Sequence, residues 1–370
     1  MLMANKSIFI TGVTGMLGKV LVEKMLRSTP KIRIIYVLVR PREGVGAQAR
    51  IEDELFASRI WDRLRETPVS AGGFGGDKTA LLAHLRRKIV AVDGDLLAGT
   101  TDDKTPIFNI SATWRARFER EGIDVVFHNA ATVNFDEQID LAVRLNVLAP
   151  LKMMELAATW KCQAYVHVST AYVISHHKTK HQSPERLDVS PTDFDADELI
   201  RRVLEASSRV ASRSPDRRKL LLDRTALTLL GSFPNTYTLT KHCAEKKVVE
   251  LNKRLQLPLC IVRPSIIGAS LREPVPGWID TLSAAAAVFT AGGLGMINLL
   301  PGNPSGVGDI IPVDFVVNHM LLRCSEVIDG AVRTGTGADG KHHVPISHCA
   351  TSTMNPVKWR TCEVIGETFL

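Results

Sequence analysis

A tyrosine and a lysine four residues apart, in Asn235-Thr236-Tyr237-Thr238-Leu239-Thr240-Lys241, are the residues of this chain best suited to proton chemistry. On a helix that spacing stacks the two side chains on one face. An ammonium beside a phenol favours the phenolate and is expected to draw the tyrosine pKa down from about 10. A phenol poised in this way gives or takes a proton at a carbonyl oxygen. Surface helices produce the same spacing by chance, so the pair takes its meaning from a glycine loop near the start of the chain, Thr11-Gly12-Val13-Thr14-Gly15-Met16-Leu17-Gly18.

The context of that loop decides what its glycines are for. The apolar run Ser7 to Thr11 reads as a buried strand, and a helical pattern through Val20, Leu21, Met25 and Leu26 follows the loop. Strand, glycine turn and helix together make a phosphate cradle, because glycine permits close backbone approach and the helix N-terminus faces a pyrophosphate. Gly12, Thr14, Gly15, Leu17 and Gly18 are therefore cofactor-binding candidates, in the spacing G-x-x-G-x-x-G rather than G-x-G-x-x-G. The alternative is a glycine turn in an α/β core with no ligand. The next apolar run, Ile34 to Val39, ends in Arg40-Pro41-Arg42. A cofactor lacking a 2′-phosphate meets an acidic residue at this strand end, whereas a guanidinium fork suits the phosphate. NADPH is the expected cofactor, with Arg40 the better contact and Arg42 the second. The bland reading makes either arginine a solvated loop charge.

Strand and helix patterns then alternate along the chain. A helical pattern from Gln48 to Arg65 leads to a Gly-rich loop. The strand Ile89 to Val92 ends in Asp93-Gly94-Asp95-Leu96, and the strand Val125 to Phe127 in His128-Asn129-Ala130-Ala131. A helix from Gln138 to Lys161 precedes the strand Ala164 to Val168, which ends in Ser169-Thr170, and Leu259 to Val262 is a later strand ending in Arg263-Pro264. This alternation predicts an α/β fold, a Rossmann-type doubly wound parallel sheet, with ligands at the carboxyl ends of its strands. Asp95 and Leu96, Ala130, Thr170 and Pro264 accordingly point to one crevice. Asp95 could accept from an adenine amino group, and small Ala130 leaves room for a cofactor; each is equally a turn residue when taken alone. We divide the chain into residues 5–270, an NADP-binding domain that includes the tyrosine and lysine, residues 271–357, a smaller C-terminal substrate-binding lobe interleaved with the last strands, and residues 358–370, the start of a further region.

Composition sets the remaining limits. A net charge of +7 is a mild excess without interleaved aromatics, which argues against a nucleic-acid partner and fits an anionic ligand or a loose hold on an acidic membrane surface. The six cysteines have no C-x-x-C or zinc spacing and read as reduced thiols of an intracellular protein, soluble or peripherally membrane-associated. His176, His177 and His181 lie close in sequence but lack partners at ligand spacing, so no metal is expected. The arginine run between 201 and 218 reads as a solvated helix face or as a landing place for phosphates. Trp278 to Leu300 is apolar, yet Asp280 and Gly292, Gly293 and Gly295 break it; it reads as a segment over a substrate channel or against a bilayer surface rather than a spanning helix.

The glycine loop, Asn146, Ser169-Thr170 and Tyr237 with Lys241 resemble the extended short-chain dehydrogenase/reductases. More narrowly, His167-Val168-Ser169-Thr170-Ala171-Tyr172, Asn235-Thr236-Tyr237-Thr238 and Val262-Arg263-Pro264-Ser265-Ile266-Ile267-Gly268 through Pro276-Gly277-Trp278 resemble the alcohol-forming fatty acyl-CoA reductases. The resemblance implies NADPH-dependent reduction of a long-chain acyl-CoA to a primary alcohol by two hydride transfers, through an aldehyde. It implies that Thr170 and Tyr237 bond the developing oxyanion, that Tyr237 donates the proton, that Lys241 tunes Tyr237 and holds the nicotinamide ribose, and that Asn146 orders a water behind Lys241. Read alone, Asn146 is also a helix-packing amide. Two readings stay open beside it: a reductase that stops at the aldehyde or takes a carrier-protein thioester, and a catalytically silent nucleotide-binding scaffold. Family members usually carry a further C-terminal helical domain, and Ala149-Pro150 stands where they often have Gly-Thr.

Overall fold

The computed structural model describes all residues except 1–2, 43, 103, 176–183, 188–193, 283–284, 297–301, 338–339, 341, 363 and 365–370. Seven strands form one parallel sheet: β1 (Ser7–Thr11), β2 (Ile34–Val39), β3 (Ile89–Asp93), β4 (Val125–His128), β5 (Ala164–Val168), β6 (Leu259–Pro264) and β7 (Ile346–Cys349). Their order is β7-β6-β5-β4-β1-β2-β3, so the winding reverses between β1 and β4 and leaves a crevice there.

Both faces of the sheet are covered, which is why its strands read as continuous apolar runs. Side chains alternate along each strand: Ile8 and Ile10 of β1 pack on one side with helices α1 (Met16–Ser28) and, by the end of the chain, α6 (Val313–Ile328). Phe9 turns to the other side, where α2 (Ala149–Thr159) lies with Val248 of α5 (Thr236–Leu255). A third apolar cluster joins α3 (Ala196–Val210) and α4 (Pro215–Leu229) to α5 through Leu199, Val203, Leu222 and Leu239.

Two helical expectations are corrected. Gln48 to Arg65 is not one helix: it runs as Ala47–Ile51, a π turn over Glu52–Phe56, a 3₁₀ turn over Arg59–Trp61 and a last short helix, Asp62–Glu66. Ser58 caps the backbone amide of Ile60 and restarts the chain in mid-segment. The expected helix from Gln138 to Lys161 holds its direction but contains a π turn over Arg144–Leu148 just before Pro150. Proline has no amide to donate and its ring crowds the carbonyl four residues back, which is that of Asn146; a widened turn relieves both.

After β6 the chain leaves the main sheet. Ile266–Gly268 pairs in parallel with Ile310–Pro312, and the excursion between them carries a helix, Ala285–Gly293, before β7 returns to pair with β6. The excursion is fastened to α1 by charge. Glu273 meets Lys24, Arg27 at 3.1 Å and Arg63 at 3.3 Å, and Asp280 meets Lys19 at 2.6 Å. From below, the buried carboxylate of Asp314 accepts from three successive backbone amides, those of Leu271, Arg272 and Glu273. Among the described residues no helix is long and apolar enough to cross a membrane.

Candidate active site

The glycine loop begins where β1 ends and the sheet reverses. Gly12 has φ +73°, and a Cβ there would stand 2.9 Å from the backbone nitrogen of Ala130, across the crevice from β4. Gly18 is closed still more tightly, since a Cβ would fall 2.3 Å from the Gly12 carbonyl oxygen. Gly15, by contrast, would meet nothing nearer than 3.5 Å, and it caps α1 with no side-chain hydrogen bond. The amides of the first turn are thus left for an anion, with Thr14 and Leu17 half-buried beside them. Packing requires glycine at 12 and 18, whereas at 15 the backbone leaves room for a side chain.

The crevice wall opposite is built by β4. The Ala130 amide donates to the Thr11 hydroxyl at 3.2 Å, and that hydroxyl lies 3.1 Å from His128 Nδ1. The Asn129 side chain next to it has neither amide atom partnered, although both are shielded from solvent. That orphaned amide beside the glycine cradle fits a polar cofactor. Asn129 was not among the expected contacts; its signal was its place one residue before Ala130. On the next strand His167 stacks on His128, with ring centroids 6.0 Å apart, and burial holds both imidazoles neutral, His128 down to about 3.

Arg40 and Arg42 are exposed beyond the end of β2, and the backbone of Arg42 pairs with that of Val45 in a narrow turn. The buried Arg50 supports this turn, donating to the Arg40 carbonyl at 2.5 Å and to Glu54. Asp95 is half-buried after β3; its carboxylate accepts from the Leu97 amide at 3.0 Å and its own amide donates to the Phe108 carbonyl, with Leu96 half-buried between.

The proton-handling residues come together at the carboxyl end of β5. Asn235 caps α5, its side-chain oxygen accepting from the Thr238 amide at 2.9 Å, and this sets Tyr237 in the first turn. The Tyr237 side chain lies beside the Thr170 hydroxyl, which donates to the carbonyl of Pro264 at 3.4 Å. Lys241, one turn on, is buried and donates to the Val168 carbonyl at 2.7 Å. Asn146 is fully committed: its oxygen accepts from the Thr132 amide at 2.9 Å, and its nitrogen donates to the Thr132 carbonyl and the Thr240 hydroxyl. It ties the loop after β4 to the turn that carries Lys241.

The electrostatics correct one expectation. The Tyr237 pKa is not drawn down; burial raises it to about 12, with only the Thr170 hydrogen bond opposing. Lys241 instead carries the shift, lowered to about 8 by burial and partly restored by Glu245. The ammonium is spent on a strand carbonyl rather than on the phenol, so desolvation governs both groups. The site therefore holds a neutral phenol and hydroxyl, both able to donate to an oxygen, over a lysine that titrates just above neutral pH.

The arginine run separates into helix-surface pairs: Arg201 binds Glu198 and Glu205, Arg209 binds Glu205, and Arg218 binds Asp140. His176, His177 and His181 lie outside the described residues, among which no cluster suited to a metal occurs.

The chain is 33% identical over 360 residues to fatty acyl-CoA reductase 1 of Gallus gallus, with 97% of this chain and 60% of that protein covered. It is also 33% identical over 365 residues to fatty acyl-CoA reductase 1 of Homo sapiens, with the same coverage. The chain thus spans about 60% of the length of these relatives. Among solved structures, the thiolation-reductase di-domain of an archaeal non-ribosomal peptide synthetase shares the fold, with a TM-score of 0.60 at 17% identity over 99% of this chain and 60% of that one. The family model described as male sterility protein, an NAD-binding domain, matches residues 10–320. With a glycine loop at the reversal of its sheet and a tyrosine, threonine and lysine gathered at the end of β5, the chain belongs to the male sterility protein family.

Proposed function

We propose that this chain reduces a long-chain fatty acyl-CoA with NADPH, giving the primary alcohol through the aldehyde. The observation that carries the proposal is the placing of Tyr237 beside Thr170 at the end of β5, backed by buried Lys241 and set across the crevice from the glycine cradle. The residues that hold the cofactor are Gly12, Thr14, Gly15, Leu17 and Gly18 at the pyrophosphate, Ala130 and Asn129 on the opposite wall, Asp95 and Leu96 toward the adenine, Pro264 and Lys241 toward the nicotinamide, and Arg40 with Arg42 at the 2′-phosphate. Exposed guanidinium groups at the end of β2, where an acidic side chain would favour the unphosphorylated ribose, support NADPH over NADH.

The chemistry the nicotinamide supplies is hydride, delivered to the carbonyl carbon. Everything else falls to side chains. Thr170 and Tyr237 donate to the carbonyl oxygen as negative charge gathers on it, where preplaced donors help most. At the thioester, loss of the thiolate leaves an aldehyde; at the aldehyde, Tyr237 gives up its proton to the alkoxide. A phenol held near pKa 12 is fully protonated at neutral pH and ready for that donation. Lys241 steadies the strand end through Val168 and balances the phenolate left behind.

The test is to incubate the protein with NADPH or NADH and a panel of acyl-CoAs, identifying products by mass. Expected are fatty alcohol from roughly C14–C18 chains in preference to roughly C4–C8 chains, since each buried methylene adds about 0.8 kcal/mol. NADPH should be favoured about tenfold or more, the size of a charge-assisted phosphate contact. Aldehyde as the sole product moves the assignment to a reductase that stops after one step, and turnover only of carrier-protein thioesters changes the substrate class. No turnover at all with intact NADPH binding leaves a nucleotide-binding scaffold.

A further inference from the structure

Resting on that reading, we infer that Phe135, with Val133, is a substrate-positioning contact for the acyl hydrocarbon chain beyond its first few carbons from the reacting carbonyl. The loop after β4 is Ala131-Thr132-Val133-Asn134-Phe135-Asp136-Glu137. On it Val133 is 58% exposed and Phe135 55% exposed, although the loop is bonded to the wholly buried Asn146. The Phe135 ring lies 5.9 Å, centroid to centroid, from the ring of Tyr237, with planes at 35°. A substrate whose carbonyl oxygen reaches the Tyr237 hydroxyl passes this ring.

The exposure is imposed by the loop's fastenings. Thr132 is gripped at both backbone groups by the wholly buried Asn146, at 2.9 and 3.2 Å. Its hydroxyl donates to Glu137 at 3.1 Å, and the Asn134 side chain accepts from the Asp136 amide at 3.2 Å. The Glu137 amide donates back to the Asn134 carbonyl at 3.4 Å, so Phe135 sits in a turn between those ties and Val133 in the irregular chain just before it. Water meets an aromatic ring and a valine held where they cannot turn inward, and covering them is favourable. Neither side chain carries a polar atom, which suits the methylenes of an acyl chain and not the amide-bearing arm on the sulfur side of the thioester.

The inference also gives Asn146 a purpose: it fixes the loop at one end and Thr240, beside Lys241, at the other. The positioning surface and the proton site are thereby held by one amide.

The experiment compares wild type, Phe135→Ala, Phe135→Leu and Val133→Ala on palmitoyl-CoA and butyryl-CoA, with NADPH binding measured by fluorescence titration as the check on folding. Phe135→Ala is expected to lower kcat/KM for palmitoyl-CoA about tenfold more than for butyryl-CoA, chiefly through KM, because the ring covers methylenes that only the longer chain possesses. Phe135→Leu restores most of the difference, and Val133→Ala moves in the same direction by less. If wild type and Phe135→Ala show the same ratio between the two substrates while both bind NADPH, the inference is overturned and the functional reading stands. If both substrates fall together with NADPH affinity, Phe135 is structural and the inference fails. A wild-type protein that binds NADPH and reduces neither substrate overturns the reading and the inference together.

Discussion

At the scale of single residues, Tyr237 is a phenol whose proton burial makes costly to remove, and the proposed function has a substrate oxygen take it. Tyr237→Phe keeps the ring, and with it the tilted contact with Phe135, but removes the hydroxyl beside Thr170. Turnover should fall about 10²–10⁴-fold, the usual weight of a general acid, while NADPH affinity stays near wild type. Stopped-flow reduction rates beside cofactor titrations measure both, and near-normal turnover in the variant would mean another group supplies the proton. The residue types of this site were legible because Tyr237, Lys241, Thr170 and the glycines occupy recognisable spacings. What spacing could not convey was where each polar atom is spent. Lys241 stands one turn from Tyr237, yet its nitrogen bonds Val168 on a strand remote in sequence, so the inferred coupling took the wrong direction. Asn129 and Phe135 were missed for a related reason: an asparagine with no partner and a phenylalanine left in water are facts of three-dimensional surroundings.

At the scale of elements, α5 is joined to the sheet by more than the turn that carries Tyr237 and Lys241. Glu245, one turn beyond Lys241, pairs with Arg263 of β6 at 2.6 Å, and both side chains are almost wholly buried. Arg263 further donates to the carbonyls of Pro184 and Arg186, each at 3.2 Å, and lies 3.1 Å from His348 Nε2 on β7. One guanidinium thus connects a helix, two strands and the loop before α3. Removing one member of such a pair strands a buried charge, so Glu245→Leu should cost about 3–5 kcal/mol. Adding Arg263→Met should recover part of that loss by removing the charge left behind. Denaturant melts of the single and double variants decide it, and a Glu245→Leu protein as stable as wild type would show that the pair is neutral here. The long helix before β5 was visible in the sequence, but its π turn was not. Only Pro150 hinted at it, through the amide it lacks. The run from Gln48 to Arg65 fails as a single helix for the opposite reason: its apolar positions face a core that bends around them, and Leu55, Ile60, Trp61 and Leu64 are all buried by successive short turns.

At the scale of the whole molecule, activity and stability should respond to alkali in opposite senses. Lys241 in the folded chain loses its proton near pH 8, whereas in the unfolded chain it keeps it to about 10.5. Between those values the unfolded state binds more protons, so Lys241 contributes a rise in stability as pH climbs through that window. Catalysis loses the ammonium over the same range and should decline. Thermal melts and kcat/KM profiles across the window measure the two, and Lys241→Met should flatten the stability rise; a wild-type profile flat through the window removes Lys241 from the proton chemistry. The sheet was the most legible feature at this scale, because strands covered on both faces read as unbroken apolar runs. Its seventh strand was not, since Ile346-Ser347-His348-Cys349 is half polar and takes its conformation from the strand it joins. That strand has a consequence for how the chain can be divided. The excursion through residues 271–312 is bracketed by β6 and β7 of a single sheet, so it is an insertion rather than an appendage. A fragment ending near residue 270 would keep the cradle, the tyrosine and the lysine, yet present the full length of β6 as a bare edge, open to any other chain with unpaired amides. It would also leave Arg263 without His348 and α1 without the acids that neutralise Lys19 and Lys24. The cofactor half of this molecule is therefore a poor candidate for life as an independent module.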